Sequence, residues 1–184
     1  MKITFVIGGA KSGKSSFALQ EASRIKGEKT FIATAEALDD EMKQRIVRHR
    51  VERGSEWNTC EEPVNIASFL SDTKNRSNVI VLDCLTIWLS NILLRAQVTK
   101  RGLQGTEEDV QEFIDALVAL RDGQRATDDE GRLFVVSNEV GSGIVPDNKL
   151  ARQFRDLAGT LNQKVAGIAH EVYLVKAGIP VKIK

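Results

Sequence analysis

Residues 8–15 read GGAKSGKS and follow the apolar run Ile3-Thr4-Phe5-Val6-Ile7 without a break. Gly8, Gly13, Lys14 and Ser15 occupy the fixed places of the pattern Gly-x-x-x-x-Gly-Lys-Ser, with Gly9, Ala10, Lys11 and Ser12 between them. Glycines let successive backbone N–H groups curl around a phosphate, and the helix that follows turns its positive end to the same anion. Lys14 then reaches the β- and γ-phosphates, and the Ser15 hydroxyl is placed to ligate Mg²⁺. The alternative is an ordinary strand–turn–helix corner. The preceding strand and the helix-forming run Ser15–Lys26 give the motif its required context and point to a nucleoside triphosphate.

A second acidic position follows from Val79-Ile80-Val81-Leu82, which ends in Asp83. An aspartate at the carboxyl end of a buried strand is suited to hold a hydrated Mg²⁺ beside a phosphate chain. It also fits as the cap of the next helix, through Asp83-Cys84-Leu85-Thr86.

The stretch DDEMKQRIVRHRVERGSEW carries another chemical option. If Asp39–Arg53 is helical, Met42, Ile46, His49 and Arg53 share one stripe, flanked by Arg45 and Arg50. Arginines at 45, 48, 50 and 53 surround His49 with forked donors that match phosphate. Two readings fit: a basic helix packed through Met42 and Ile46 with a half-buried histidine, or a nucleophilic imidazole. A neutral imidazole, with a reference pKa of about 6.5, is able to attack phosphorus. Neighbouring cations would keep it neutral and stabilise the anionic transition state.

The class of nucleotide protein is narrowed by what is missing. A regulatory GTPase carries Asn-Lys-x-Asp, whereas the nearest stretch here is Asn148-Lys149-Leu150-Ala151. No Leu-Ser-Gly-Gly-Gln element of a transporter ATPase occurs. A small-molecule kinase remains. Arg121, Arg125 and Arg132 are either its arginine-rich lid or a solvated loop.

The elements that must position these residues alternate. Strands are expected at Ile3–Ile7, Thr30–Thr34, Val79–Leu82, Leu133–Ser137, Val172–Val175 and near Val181–Ile183. Helices are expected at Lys14–Lys26, Asp39–Arg53, Val64–Asp72, Thr86–Ala96, Glu107–Asp122 and Leu150–Ile168. Continuous apolar strands alternating with helices imply a doubly wound, mostly parallel α/β sheet with ligands beyond its carboxyl edge. Thr99–Thr106 and Asp122–Arg132 read as loops. The 184 residues are most simply one domain. With 26 Lys and Arg against 25 Asp and Glu, there is no electrostatic case for nucleic acid or an anionic membrane. The N-terminus reads as a core strand, no run is long enough to span a bilayer, and Cys60 and Cys84 lack metal spacing, all of which suit the cytoplasm.

Taken in order along almost the whole chain, these blocks resemble the bifunctional adenosylcobinamide kinase / adenosylcobinamide-phosphate guanylyltransferase family. The resemblance rests on GGAKSGKS at 8–15, Ala33-Thr34-Ala35, Arg48-His49-Arg50-Val51-Glu52-Arg53, and Trp57-Asn58-Thr59-Cys60-Glu61. It continues through Leu82-Asp83-Cys84-Leu85-Thr86, Trp88-Leu89-Ser90-Asn91, Ser137–Pro146, Phe154–Gly159 with Asn162-Gln163, and Ala177-Gly178-Ile179-Pro180. It implies a RecA-like P-loop NTPase fold and two reactions. In the first, ATP or GTP phosphorylates the aminopropanol hydroxyl of adenosylcobinamide. In the second, GTP guanylylates a histidine, and the GMP passes to adenosylcobinamide phosphate to give adenosylcobinamide-GDP. By motif position His49 carries the GMP. Nucleotide contacts are implied at Gly8 to Ser15, at Ala33, Thr34 and Ala35, at Arg50, Val51, Glu52 and Arg53, and at Glu61 and Asp83. A homotrimer is implied by the resemblance alone. Where many relatives have proline just after the arginine block, this chain has Gly54, which loosens the loop entering Trp57.

Asn138–Pro146 follows a strand end and is expected at the ligand-binding rim, as a close-approach loop through Gly141 and Gly143 or as a structural turn. Arg152, Arg155 and Asp156 are placed to meet the corrinoid periphery or another subunit. Trp57 and Trp88 are expected to pack, His170 receives no catalytic role, and both cysteines read as small apolar side chains.

Overall fold

The computed structural model describes residues 1–36, 54, 56–73, 77–123 and 131–184. The helix expected over Asp39–Arg53, with Arg45, Arg48, His49, Arg50, Val51, Glu52 and Arg53, lies outside the described residues, as does Arg125.

Seven strands form one sheet: β1 Lys2–Gly8, β2 Lys29–Ala33, β3 Trp57–Glu61, β4 Val79–Asp83, β5 Arg132–Asn138, β6 Glu171–Lys176 and β7 Ile179–Lys182. Their order is β3-β2-β4-β5-β1-β6-β7. The first six run parallel and β7 closes the edge antiparallel to β6. The described helices are α1 Lys14–Ser23, α2 Ile66–Thr73, α3 Leu85–Val98, α4 Gly102–Asp122 and α5 Lys149–Ile168.

Successive strand side chains point to opposite faces, and both faces are covered. Val6, Val79, Val81, Phe134, Val136 and Val175 meet Ala18 and Ala22 of α1 on one face. Ile3, Phe5, Ile80, Leu82, Leu133 and Val135 meet α2, α3, α4 and α5 on the other. This is why β1, β4 and β5 read as unbroken apolar runs. Alanines at 18 and 22 let α1 lie close across β4, β5, β1 and β6.

Two expectations are corrected. β3 was not anticipated: Trp57-Asn58-Thr59-Cys60-Glu61 has no apolar run, because this edge strand pairs only with β2 and leaves Asn58 and Glu61 exposed. The loop expected at Thr99–Thr106 shrinks to Thr99–Arg101, since α4 begins at Gly102. Lys100 and Gly102 take left-handed backbone at φ 59° and 64° and reverse the chain within three residues. Arg101 then fixes the new helix, its guanidinium meeting Asp109 at 3.0 Å, Glu108 at 3.2 Å and the Gly105 carbonyl at 3.2 Å.

Candidate active site

The loop between β1 and α1 bends inward around its own backbone. Lys11 and Gly13 adopt positive φ, 54° and 93°, and Ser12 N–H donates to the Gly9 carbonyl at 3.2 Å. Such alternation of backbone handedness turns successive N–H groups toward a common centre. Gly9, Ala10 and Lys11 are exposed, Ser12 and Lys14 are buried, and Gly13 and Ser15 are half-buried. Lys14 Nζ donates to the Gly9 carbonyl at 3.1 Å, so its ammonium lies across the mouth of the loop.

Two glycines here are required by contact. An ideal Cβ at Gly8 would lie 2.4 Å from the Val175 carbonyl oxygen and 2.6 Å from Ser12 Oγ. At Gly13 it would lie 3.2 Å from Gly178 Cα. Gly178 belongs to the β6–β7 turn, where Ala177 and Gly178 have φ 52° and 80°, and its N–H donates to the Ser12 carbonyl at 2.8 Å. The last hairpin therefore braces the loop. Ser12 Oγ is buried without a partner among the described residues, as suits a cradle completed by an anion.

Asp83 ends β4 and is half-buried on the same sheet face as Val81, the face that carries α1. β5 lies between β4 and β1, so Asp83 stands two strand spacings, about 10 Å, from the end of β1. Burial pushes the Cys84 thiol up to about 11; Asp83 adds to the shift and Lys14 opposes it. Both charges therefore act on this strand end. Ser15 and Asp83 are oxygen donors of the kind Mg²⁺ selects, and the described residues contain no cluster of three or more His, Cys, Asp or Glu side chains that would hold a metal alone.

The other expected contacts distribute as follows. Ala33 ends β2 in register with Asp83 and with Glu61, which is exposed at the end of β3. Ala35 is half-buried just beyond. Thr34 is fully buried, and its hydroxyl is used internally: it accepts from Cys84 N–H and donates to the Cys84 carbonyl, both at 2.8 Å. Asn91 Nδ2 donates to the carbonyls of Thr34 and Pro63, at 2.9 and 3.1 Å. Gly8 to Ser15, Ala33 and Asp83 thus share the carboxyl edge of the sheet.

Several residues are structural. Trp88 is buried and donates from Nε1 to the Val64 carbonyl at 2.8 Å. His170 Nδ1 accepts from Ile3 N–H at 3.0 Å. Arg155 pairs with Asp156 at 3.0 Å, and Arg152 holds the Pro146 carbonyl at 2.9 Å. Asn148 caps α5, its side chain accepting from Leu150 and Ala151 N–H. Sequence reasoning missed Thr86 and Asn162, which grip the end of β5. Thr86 Oγ1 accepts from Asn138 N–H at 2.7 Å, and Asn162 Nδ2 donates to the Asn138 carbonyl at 3.2 Å. The available signal was a buried strand whose last residue is polar.

The fold resembles that of two solved structures. A prototypical ATPase from the type III secretion system of pathogenic bacteria aligns with TM-score 0.57 at 9% identity, covering 98% of this chain and 56% of that one. The RadB recombinase aligns with TM-score 0.51 at 16% identity, covering 94% and 73%. These likenesses bear on the fold alone, and the expected RecA-like, mostly parallel P-loop architecture is the one observed.

Sequence relatives are closer. The chain is 39% identical over 186 residues to the bifunctional adenosylcobalamin biosynthesis protein CobU of Escherichia coli, covering 97% of this chain and 98% of that one. It is 37% identical over 179 residues to the bifunctional adenosylcobalamin biosynthesis protein CobP of Pseudomonas aeruginosa, covering 97% and 95%. The model of the CobU family, cobinamide kinase / cobinamide phosphate guanyltransferase, matches residues 4–183. With the anion loop, the paired strand ends and this near-complete match in hand, the chain belongs to the cobinamide kinase / cobinamide phosphate guanyltransferase family.

Proposed function

We propose that this protein phosphorylates adenosylcobinamide with ATP or GTP and then transfers GMP from GTP, through a guanylyl-histidine, to give adenosylcobinamide-GDP. The observation that carries this reading is the cradle Gly8–Ser15 with Lys14 bonded to its Gly9 carbonyl, at the same sheet edge as Asp83 and one intervening strand away. In the kinase step the corrinoid hydroxyl oxygen bonds to the γ-phosphorus, the bond to the β–γ bridging oxygen breaks, and the hydroxyl proton leaves to solvent. Lys14 and the loop N–H groups stabilise the charge that spreads over the phosphoryl oxygens. Ser15 and Asp83 would hold Mg²⁺, which would supply charge neutralisation along the phosphate chain. Gly8, Gly9, Ala10, Lys11, Ser12 and Gly13 supply the anion loop; Ala33, Thr34, Ala35, Glu61 and the segment Arg50-Val51-Glu52-Arg53 complete the nucleotide site.

In the second step an imidazole nitrogen of His49 attacks the α-phosphorus of GTP and pyrophosphate leaves. The phosphate of adenosylcobinamide phosphate then displaces the imidazole. His49 in this role rests on its motif position among arginines 45, 48, 50 and 53.

The protein works as a homotrimer in the cytoplasm, on small-molecule substrates, without nucleic acid or membrane. Supporting features are the near-neutral charge and the lack of any described helix long and apolar enough to cross a membrane. Exposed apolar side chains such as Ile144, at 96% exposure, with Ile179 and Val181, are the kind of surface that subunits cover.

The deciding experiment is incubation with labelled GTP followed by acid or alkali. Wild type is expected to carry one GMP on a bond that is acid-labile and base-stable, and His49→Ala none, while His49→Ala keeps much of its kinase activity. Absence of any adduct in wild type would leave a monofunctional small-molecule kinase, and an acid-stable adduct would identify another nucleophile.

A further inference from the structure

Asn138 is the last residue of β5, the strand that separates Asp83 of β4 from the loop at the end of β1. It stands in register with Gly8. Along β5, Phe134 and Val136 face α1 whereas Leu133 and Val135 face the other layer, so the two-residue period puts the Asn138 side chain on the α1 face, beside the cradle. Gly8 offers no Cβ on that face.

The backbone around Asn138 is held in three places. Its N–H donates to Thr86 Oγ1 at 2.7 Å, its carbonyl accepts from Asn162 Nδ2 at 3.2 Å, and Glu139 N–H donates to the Gly8 carbonyl at 3.0 Å. The side chain so carefully held makes no hydrogen bond among the described residues, and Asn138 Oδ1 is buried without a partner. Ser12 Oγ and Asn162 Oδ1 are the other buried side-chain atoms in that condition among the described residues. Ser12 Oγ stands 2.6 Å from where a Cβ of Gly8, the register partner of Asn138, would lie, and Asn162 bonds the Asn138 carbonyl from the opposite layer. Which end of a carboxamide faces a ligand is set by its hydrogen-bond partners; with Oδ1 unpaired, no protein bond holds the group in one sense, and an anion beside it would draw the Nδ2 end toward the cradle.

We infer that Asn138 is a further catalytic residue of the kinase step, its Nδ2 donating a hydrogen bond to a non-bridging oxygen of the γ-phosphoryl group as it moves from the β-phosphate to the acceptor hydroxyl. The inference rests on the phosphoryl transfer proposed above. A carboxamide is neutral, so it neither gains nor loses a proton. It offers its donors where negative charge spreads over the equatorial oxygens, at the end of the strand that runs between β4 and β1. Thr86 and Asn162 are positioning residues, which act by holding the strand end that aims the amide.

The test is steady-state kinetics of Asn138→Ala and Asn138→Asp with adenosylcobinamide, together with nucleotide binding by calorimetry and thermal unfolding. The same variants are assayed for slow GTP hydrolysis without corrinoid, so the result is readable even if the acceptor alcohol is a different one. Asn138→Ala is expected to lower kcat about 10²-fold, the usual effect of losing one transition-state donor. Nucleotide KM should stay within about threefold, since the bond strengthens only in the transition state. Asn138→Asp keeps the shape and loses the donors, so it should fall at least as far. Thr86→Val is expected to lower kcat, and Thr86→Ser, which keeps the hydroxyl, to restore it. Unchanged turnover of Asn138→Ala in both assays would overturn the proposal, as would a loss of kcat that merely tracks a loss of fold in every variant. Wild type inactive on the corrinoid but active on GTP would count against the proposed substrate, and leave the role of Asn138 to be decided on hydrolysis.

Discussion

The main-chain N–H of Gly178 donates to the Ser12 carbonyl at 2.8 Å, which ties the final hairpin of the sheet to the middle of the anion loop. Two glycines, 13 and 178, meet on that seam. Gly13→Ala would press a Cβ to 3.2 Å from Gly178 Cα on backbone at φ 93°. Left-handed backbone alone costs about 1–2 kcal/mol per non-glycine residue. A loss of about tenfold in nucleotide affinity is therefore expected by calorimetry. Gly178→Ala meets open space at its Cβ and should be the milder change.

Lys14→Ala removes the ammonium that lies across the loop mouth. Kinase turnover should fall about 10²–10³-fold, while the thermal midpoint moves little. Normal turnover in this variant would contradict the assignment of the loop.

Thr34→Val strips both hydrogen bonds from the main chain of Cys84, next to Asp83. Unpaired buried groups cost about 1–3 kcal/mol, so a fall of about 5 °C in unfolding midpoint is expected. Thr34→Ser should recover most of it.

Glu171 receives Lys182 Nζ at 2.7 Å and Lys2 Nζ at 3.2 Å. The hydrogen bond from Lys182, followed by Lys2, holds its carboxyl below the usual glutamate range. A depressed folded value adds stability above the unfolded pKa, and that stability is lost as pH falls through the folded value. Glu171→Gln should therefore unfold about 2 °C below wild type near neutrality. The gap should close as the medium is acidified below the carboxylate range, and a gap independent of pH would contradict the assignment.

The two cysteines differ in access. Cys84 is buried, with its thiol pushed up to about 11, and Cys60 is half-buried, with its thiol raised by desolvation and by Glu62 and Glu61. Thiolate is the reactive form. Iodoacetamide at pH 8 should modify Cys60 slowly and leave Cys84 intact in the folded protein, as mass spectrometry of tryptic peptides would show.

The anion loop was legible because its chemistry is contiguous: eight residues between one strand and one helix fix both the cradle and its helix. The parallel sheet was legible because strands covered on both sides, such as β4 and β5, read as unbroken apolar runs. β3 was not, since an edge strand gains its stability from a single neighbour and needs no apolar run. The start of α4 was hidden by Gly102 and Gly105, which signal a loop locally, although Gly105 sits beneath the Arg101 clamp. The weight carried by Asn138 was out of reach, because it depends on β5 threading between β4 and β1, and strand order is a property of the assembled sheet. The bonds of the Thr34 hydroxyl to the Cys84 main chain were equally out of reach, since they join the ends of β2 and β4 across 50 residues.

The grips on Asn138 come from α3 and α5, which pack on the face of the sheet opposite α1. With the role inferred for Asn138, selection for a faster or slower kinase has a place to act in the layer behind the strand end. Random libraries restricted to the helical layer around Thr86 and Asn162 should yield enzymes altered in speed but not in appetite for nucleotide.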